Sequence, residues 1–296
     1  MASLGIDGGA SSAKWVLLDH NDPSKIKRGV SEAIDGHLYR AESHERFKAF
    51  LLEIKNSIGS QTVESVTLGI TGYGSPETIH KSILEIFPES NVKSSTDIEL
   101  AYRGEFEVGK GILLYAGTGS IAIHIDIDQK VFTTGGWGYL LGDEGGGFWI
   151  GREALRHLAA NSESGRNLDE LSQIIAHRIG GSTWSHIREF TYSMNRSEIA
   201  ALSKEVVVLA DNQEDSAIQI IEQACLALSS LVKRMQHRLG NNALPVKFGG
   251  GISNASPLFQ KLIEENIHQK IEISSGDYAL TAAQLGIKRL ETSSQG

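Results

Sequence analysis

Two similar glycine-rich turns, one at the start of the chain and one near residue 117, constrain the fold most. The first is Asp7–Ser12 (Asp-Gly-Gly-Ala-Ser-Ser) and the second is Gly117–Ser120 (Gly-Thr-Gly-Ser). Each lies between two short apolar runs, which predicts a strand, a tight turn and a second strand. Glycine lets main-chain N–H groups approach an anion closely, and the hydroxyls add donors. Two such hairpins in corresponding places indicate a duplicated fold that binds a nucleotide's phosphate chain from both sides.

Size and composition allow two soluble domains and exclude several other classes. The chain has 296 residues, 40% of them hydrophobic, which is enough for two cores. Its formal net charge of −8 argues against nonspecific nucleic-acid binding. The single cysteine, Cys225, excludes an internal disulfide and a multi-cysteine metal site. The sequence shows no signal-peptide pattern and no apolar run of about 20 residues. We therefore expect a cytoplasmic protein without a membrane partner.

The order of predicted elements is the same in the two halves of the chain. A three-strand meander at residues 4–34 is repeated at 111–134, and each meander is followed by alternating helices and strands. Further strands are predicted at residues 63–71, 91–95 and 245–248. Helices are predicted at residues 44–58, 76–87, 148–160, 168–177, 196–211, 216–239, 257–267 and 278–290, with another that begins at Asp97. We expect an N-terminal domain at residues 1–105 and a C-terminal domain at 106–277. A C-terminal helix at about 278–296 is a candidate to pack back on the first domain.

Asp7 and the glycine-dense stretch at residues 135–147 are candidates for ligand binding. A carboxylate at a strand end can hold Mg²⁺ through water while the adjoining turn binds phosphate, although an ordinary hairpin turn is the alternative. Residues 135–147 contain seven glycines and two adjacent acids, which indicates close main-chain approach to a ligand. In this stretch Asp143 would bond sugar hydroxyls and Trp137 would form a pocket wall. The alternative is a flexible surface loop, but Trp137 and the run Tyr139–Leu141 are too apolar for one.

Two other motifs have a structural interpretation as well as a functional one. Asp97 follows Ser95 and Thr96, so Thr96 or Asp97 is expected to cap a helix. The functional alternative is a general base. Gly249–Gly251 suits either the ribose and adenine of a nucleotide or a tight strand-to-helix turn. The segment Gly104–Gly111 is close to a P-loop, but glycine occupies the place of its Mg²⁺-binding hydroxyl, so we interpret it as an interdomain turn.

The ordered motifs resemble those of N-acetylglucosamine kinases. This family lies within the wider group of bacterial glucosamine kinases and BadF/BadG/BcrA/BcrD-type ATPases. The motifs that carry the resemblance are Asp7–Gly9, Ser95–Asp97, Ala116–Ser120, Gly135–Gly138 and Gly142–Gly145. Their order and spacing agree from residue 4 to about 150, and Gly249–Gly251 extends the agreement. Residues 160–240 match only in helical character.

The resemblance implies an α/β fold of two duplicated actin-like (ribonuclease H-like) domains. Each domain would have a mixed five-stranded sheet with helices, and the two would flank an interdomain cleft. Asp97 matches the catalytic base, and Asp7 would hold the metal. The residues expected to bind ATP are Gly8, Gly9, Ala10, Ser11, Ser12, Gly117, Thr118, Gly119, Gly249, Gly250 and Gly251. The residues expected to bind the sugar are Gly36, Thr118, Gly136, Trp137 and Asp143.

This chain departs from the family pattern at three places. The first turn has Ala10 and Ser11 where the family often has glycine and threonine, and Ser11 can still donate a hydrogen bond. The segment Ala33–His37 lacks the asparagine that helps to hold an N-acetylated sugar. Gly72–Ser75 replaces a small polar stretch beside the sugar. The resemblance therefore leaves the identity of the amino sugar open.

The sequence thus predicts an ATP- and Mg²⁺-dependent kinase that phosphorylates a hydroxyl, most simply O6, of an amino sugar such as N-acetylglucosamine or glucosamine. A homodimer is expected from the resemblance alone. Two alternatives stay open. An ATP-hydrolysing activator of a dehydratase or reductase would bind an iron–sulfur cluster through cysteines, and a single cysteine argues against it. A non-catalytic sugar sensor would not need the base, and the presence of Asp97 favours an enzyme.

Overall fold

The computed structural model describes residues 2–9, 12–22, 24–274 and 276–293. The chain divides into two compact units, residues 1–106 with 276–296, and residues 107–275. In chain order the elements are β1 (Ala2–Gly8), β2 (Ala13–Asp19), β3 (Ile26–Ser31), α1 (Ala41–Ile58), β4 (Val63–Ile70), α2 (Pro76–Ile86), β5 (Asn91–Thr96), α3 (Asp97–Glu105), β6 (Ile112–Ala116), β7 (Ser120–Ile125), β8 (Val131–Gly135), α4 (Gly147–Glu163), α5 (Glu170–Ile179), α6 (Trp184–Ser193), α7 (Arg196–Ala201), α8 (Ser203–Asp211), α9 (Asp215–Leu239), β9 (Val246–Gly249), α10 (Pro257–Ile267), β10 (Ile271–Ile273) and α11 (Tyr278–Ser293).

The first unit contains a mixed five-stranded sheet in the order β3-β2-β1-β4-β5. The meander β1–β3 is antiparallel, whereas β4 and β5 run parallel to β1. Because parallel neighbours end at the same edge of a sheet, the chain leaves β1, β4 and β5 on one side. Asp7, Thr71 and Asp97 lie at or next to these strand ends.

The sheet of the second unit repeats this arrangement in the order β10-β9-β6-β7-β8. The meander β6–β8 is again antiparallel, and β9 and β10 run parallel to β6. The hairpin β6–β7 therefore occupies the place that β1–β2 has in the first unit. The predicted α/β fold with two mixed five-stranded sheets is confirmed.

The second unit differs from the prediction in three places. The predicted helix 196–211 is divided into α7 and α8 at Leu202. The helix α6 and the short strand β10 were not predicted. The helix α6 has ten residues, none of them fully buried, and its apolar stripe is short, with Ile187 and Phe190 packed partly on the core. The strand β10 has only three residues, too few for a recognisable alternation.

The longest helix, α9, carries much of the second core, as its apolar stripe predicts. Ile221, Leu228, Val232 and Met235 are all essentially inaccessible to solvent. Cys225 lies on the same stripe, and burial together with the nearby Glu222 raises the pKa of its thiol to about 12. The thiol is therefore protonated at neutral pH and serves as a small core side chain.

The C-terminal helix α11 packs on the sheet of the first unit. Val16 and Leu18 of β2 form an apolar cluster with Ala279 and Ala283 of α11. Near the other end of the helix, the guanidinium of Arg289 donates to the hydroxyls of Ser65 (2.9 Å) and Thr67 (3.1 Å). Residues distant in sequence thus cover one face of the first sheet. No helix among the residues that the structure describes is long and apolar enough to cross a membrane.

We expect Gly5→Ala to destabilise the protein by about 2–4 kcal/mol, because overpacking against main chain cannot be relieved by a rotamer change. A β-carbon on Gly5 would collide with the main-chain atoms Ala279 O and Ala283 N. Urea unfolding measures the effect. Gly251→Ala is the control, since a β-carbon there meets no atom within 4 Å. Equal stability of the two variants would contradict the described packing of α11.

Candidate functional site

In the first unit, main-chain hydrogen bonds join three loop segments at one edge of the sheet. The N–H of Thr71, which follows β4, donates to the carbonyl of Gly8 at the end of β1 (2.9 Å). The N–H of Gly36, which follows β3, donates to the carbonyl of Thr71 (2.8 Å). Asp7 precedes Gly8 and lies opposite Gly69 in the β1–β4 register. These bonds fix the residues around Asp7 independently of side-chain rotamers.

Asp97 is the first residue of α3, and its carboxylate is not the helix cap. Thr96 is the cap, since its hydroxyl accepts from the N–H of Glu99 (3.2 Å). The carboxylate of Asp97 accepts from the N–H of Ile98 (2.9 Å). Burial raises the pKa of Asp97 to about 6, and the charge of Asp7 adds to the increase while the Ile98 N–H opposes it. Asp97 therefore combines a strand-end position with a pKa near the range in which a general base operates.

Asp7 is the second acid of this edge. Burial raises its pKa, Lys14 lowers it, and Asp277 raises it further. Asp7 and Asp97 are close enough to repel each other, and a divalent cation near them would offset that repulsion. Among the described residues, no group of three or more histidine, cysteine, aspartate or glutamate side chains is placed to hold a metal ion. A Mg²⁺ ion here would thus depend mainly on water and substrate oxygens, as Mg²⁺ commonly does.

Sequence reasoning missed a polar cluster around Asp35 in the segment that follows β3. Its carboxylate accepts from the N–H of His37 (3.0 Å) and the hydroxyl of Ser43 (3.0 Å). Although burial opposes them, these bonds hold the pKa of Asp35 below its ordinary value. The ring of His37 covers Gly72, where a β-carbon would lie 2.5 Å from Nδ1. An acid two residues before a histidine, in the loop after a strand, is the sequence signal that could have indicated this cluster.

In the second unit, the turn Gly117–Ser120 joins β6 to β7 and is tied to the start of α4. The carbonyls of Gly117 and Thr118 accept from the N–H groups of Gly147 (2.8 Å) and Phe148 (3.0 Å). Within the part of the chain that the structure describes, no hydrogen bond engages the main-chain N–H groups of Thr118 and Gly119. Two adjacent N–H groups of this kind can donate to a phosphate.

The turn Gly249–Gly251 packs against Ala116, the residue that precedes the turn Gly117–Ser120. Gly250 has a φ of 94°, and a β-carbon on it would lie 2.6 Å from the carbonyl carbon of Ala116. The N–H of Ile252 donates to the carbonyl of Ala116 (3.0 Å). Because β6 and β9 are parallel neighbours, their glycine turns lie side by side at one sheet edge. The turns Gly117–Ser120 and Gly249–Gly251, which are both predicted to bind nucleotide, thus belong to one local structure.

The glycine-dense stretch is partly packed on this structure and partly exposed. The N–H of Gly136 donates to the carbonyl of Ser120 (3.0 Å), and Asp143 is only 7% exposed. Trp137 and Leu140, in contrast, are 75% and 80% exposed, and Leu141 is similarly exposed. The apolar character of these residues suggested that they do not lie in a solvated loop, but the structure exposes them.

The first glycine turn is described only in part. The N–H of Gly9 donates to the carbonyl of Ser12 (3.0 Å), which closes the turn between β1 and β2. Ala10 and Ser11, which were expected to bind nucleotide, lie outside the described residues.

Comparison with known proteins identifies the family. The sequence profile of the BadF/BadG/BcrA/BcrD ATPase family matches residues 4–286. The chain belongs to this family. The glycine turns at both sheet edges and Asp97 all lie within the matched region.

Two proteins with sequences similar to this chain are named as sugar kinases. An N-acetyl-D-glucosamine kinase from Dictyostelium discoideum is 24% identical over 286 residues, 89% of either chain. An N-acetylmuramic acid/N-acetylglucosamine kinase from Clostridium acetobutylicum is 25% identical over 287 residues, 92% of this chain and 93% of the relative. A solved structure from Chromobacterium violaceum, provisionally named an N-acetylglucosamine kinase, is 21% identical with a TM-score of 0.76. It covers 96% of this chain and 98% of its own. This likeness shows that the two proteins have the same fold.

We expect Asp97→Asn to raise the free energy of unfolding by about 1–2 kcal/mol at pH 8 and by less than about a quarter of that at pH 4, which is close to the ordinary pKa of an aspartate. The folded pKa of about 6 lies above the ordinary value of 3.8. Below both values the carboxyl is neutral in both states, so burial costs nothing. Between them the unfolded state loses its proton first, so the native state loses stability as pH rises. Urea unfolding at both pH values measures the difference, with the exposed Asp128→Asn as control. An equal effect of Asp97→Asn at both pH values would contradict the burial effect.

Proposed function

We propose that this protein is an ATP-dependent kinase that phosphorylates a hydroxyl of an amino sugar or N-acetylated amino sugar. O6 is the proposed acceptor, and N-acetylglucosamine and glucosamine are the first candidate substrates. The observation that carries the proposal is the position and raised pKa of Asp97 at an acidic sheet edge. The uncommitted N–H groups of Thr118 and Gly119 and the names of the relatives support it.

Asp97 is the proposed catalytic base. As the sugar oxygen forms its bond to the γ-phosphorus, the hydroxyl proton moves to the Asp97 carboxylate. The bond between the γ-phosphorus and the bridging oxygen breaks, and ADP leaves with that oxygen. A base whose pKa is about 6 is ionised at neutral pH and still accepts a proton readily.

The glycine turns are the proposed nucleotide contacts. The N–H groups of Thr118 and Gly119 would donate to phosphate oxygens, with Gly117 allowing the close approach. The first turn, with Gly8, Gly9 and Ser12 in its described part, would contact the phosphates likewise, and Gly249–Gly251 would accommodate ribose and adenine. Asp7 would hold Mg²⁺ through water. When bound, the ion would supply positive charge that offsets the negative charge of the phosphates.

The sugar contacts are proposed residue by residue. Gly36 is held beside the end of β4, where a side chain would meet the carbonyl of Gly72 at 2.9 Å. Thr118 belongs to the second glycine turn, and Gly136 borders it, since its N–H donates to the carbonyl of Ser120. The exposed indole of Trp137 offers a flat apolar surface to a pyranose ring. Asp143, which is 7% exposed, is the fifth proposed sugar contact. We also propose a homodimer, for which the family resemblance is the support, and, separately, a cytoplasmic location.

We expect Asp97→Asn to lower kcat by about a hundredfold to ten-thousandfold, because the hydroxyl loses its proton acceptor in the transition state. A coupled assay of ADP release measures kcat and KM for both substrates. Asp128→Asn, an exposed carboxyl in the loop between β7 and β8, is the control and should leave both unchanged. Turnover of Asp97→Asn within a few-fold of the wild type would overturn the assignment of the base.

The substrate is tested by sugar-dependent ADP release. The panel contains glucosamine, N-acetylglucosamine, N-acetylmuramic acid, N-acetylmannosamine and glucose, with the product identified by NMR. We expect the highest kcat/KM for an amino sugar and a phosphate on O6. A protein that binds these sugars without releasing ADP would be a sensor. ATP hydrolysis that no sugar accelerates would contradict the kinase proposal.

A further inference from the structure

Helix α6 presents a row of large side chains to solvent. Trp184 and Tyr192 are 68% and 80% exposed, and Arg188 lies between them, one helical turn from each. The central carbon of the Arg188 guanidinium lies 4.5 Å from the centre of the Trp184 ring and 5.2 Å from the centre of the Tyr192 ring. Because the guanidinium contacts both rings, these three side chains, the aromatic row, are ordered before any partner binds.

The other face of α6 is packed on the second core. Ile187 and Phe190 lie partly buried against that core. The hydroxyl of Thr183 caps the helix by accepting from the N–H of His186 (3.4 Å). The aromatic row is thus displayed by a helix that is held in place. An apolar surface that stays uncovered on such a helix favours aggregation, so we expect another surface to cover it.

The composition of the aromatic row is typical of the centre of a protein–protein interface. Tryptophan, tyrosine and arginine are the residues in which binding energy is most often concentrated. Two rings exposed to this extent present about 300 Å² of mainly apolar surface on each copy of the chain. The formal net charge of −8 argues against a nucleic acid or an anionic membrane as the partner.

The neighbouring row of α6 has a complementary shape and charge. Residues four apart form a ridge on a helix, so the ridge beside the aromatic row consists of Ser185, Glu189 and Ser193. All three residues are exposed. The small serines at both ends make this serine row a shallow groove, and the carboxylate places a negative charge at its middle.

Two copies of α6 complement each other when they cross about a twofold axis beside Arg188 and Glu189. Each aromatic row then lies in the serine row of the other copy, which is ridge-into-groove packing. Trp184 meets Ser193 of the second copy, and by the same geometry the other ring meets the other serine. In the middle, the positive Arg188 meets the negative Glu189. Because a twofold axis repeats every contact, all of these pairs form twice.

We infer that α6 forms the centre of a twofold interface between two copies of this chain, with the aromatic row of each copy seated in the serine row of the other. A second copy is present wherever the exposed row is present, unlike a foreign partner. The inference goes beyond the proposed function, because neither row contains a residue that is proposed to bind substrate or to act in catalysis. It gives the proposed homodimer a location on the molecule.

Sedimentation equilibrium of the full-length protein tests the interface. We expect a dimeric wild type, and we expect Trp184→Ala combined with Tyr192→Ala to raise the dimer dissociation constant about a hundredfold, since both copies lose both rings. Tyr39→Ala is the matched control, because Tyr39 is also 68% exposed and lies under an arginine, Arg40, but belongs to the first unit. It should change the constant less than about twofold. Circular dichroism verifies that each variant is folded.

A new cysteine beside the axis tests the twofold geometry. Glu189→Cys brings the thiols of two copies within reach of a disulfide, so mild oxidation should give a covalent dimer that dithiothreitol dissolves. Cys225 is buried and does not compete. Asp128→Cys, in the exposed loop between β7 and β8, is the control and should stay a single chain on a denaturing gel. Equal cross-linking of both variants would contradict the geometry.

Two further results would overturn the inference. A wild type that stays monomeric up to about 100 µM would show that a second copy does not cover the row, which would leave it to a foreign partner. A dimer whose dissociation constant is unchanged by the loss of both rings would have its interface elsewhere. Sugar-dependent ADP release is measured separately, so failure of this inference is distinguishable from failure of the proposed function.

Discussion

The parallel pairing of strands beside β1 and β6 is the constraint on which both candidate sites depend. In each unit an antiparallel hairpin ends at the same sheet edge as the parallel strands next to it. Main-chain hydrogen bonds then join the loops that leave this edge, as between Thr71 and Gly8. Main-chain bonds do not depend on rotamers, so the loops can present N–H groups and carboxylates without flexible side chains. A shift of one strand by one residue would move every group at the edge to the opposite face.

The features of the fold that depend on local pattern could be predicted from the sequence. The meanders, the apolar stripe of α9 and the cap before α3 each follow from residues close in the chain. Thr96 was one of two predicted caps, and it caps α3 while the Asp97 carboxylate accepts a hydrogen bond from the N–H of Ile98. The order of the glycine motifs predicted the family, and in this chain Gly119 and Gly250 have no room for a side chain.

Other features depend on packing between distant residues, and the sequence did not reveal them. The cluster of Asp35 with Ser43 arises because the loop after β3 brings Asp35 beside the first turn of α1, eight residues later in the chain. Burial of Asp143 and exposure of Trp137 reverse what side-chain polarity suggests. A polar residue can be buried when main-chain groups surround it, and an aromatic residue can be exposed on a loop without a neighbour to cover it.

The return of α11 to the first sheet has a consequence for how the protein acquires its structure during synthesis. Residues 276–293 leave the ribosome after the whole second unit, yet they cover Val16 and Leu18 of the first. Until then that face of the sheet lacks its apolar partner, and closing such a long loop is slow. The nascent first unit therefore stays incomplete throughout translation of the second, and chaperones that shield apolar strands would act during this interval.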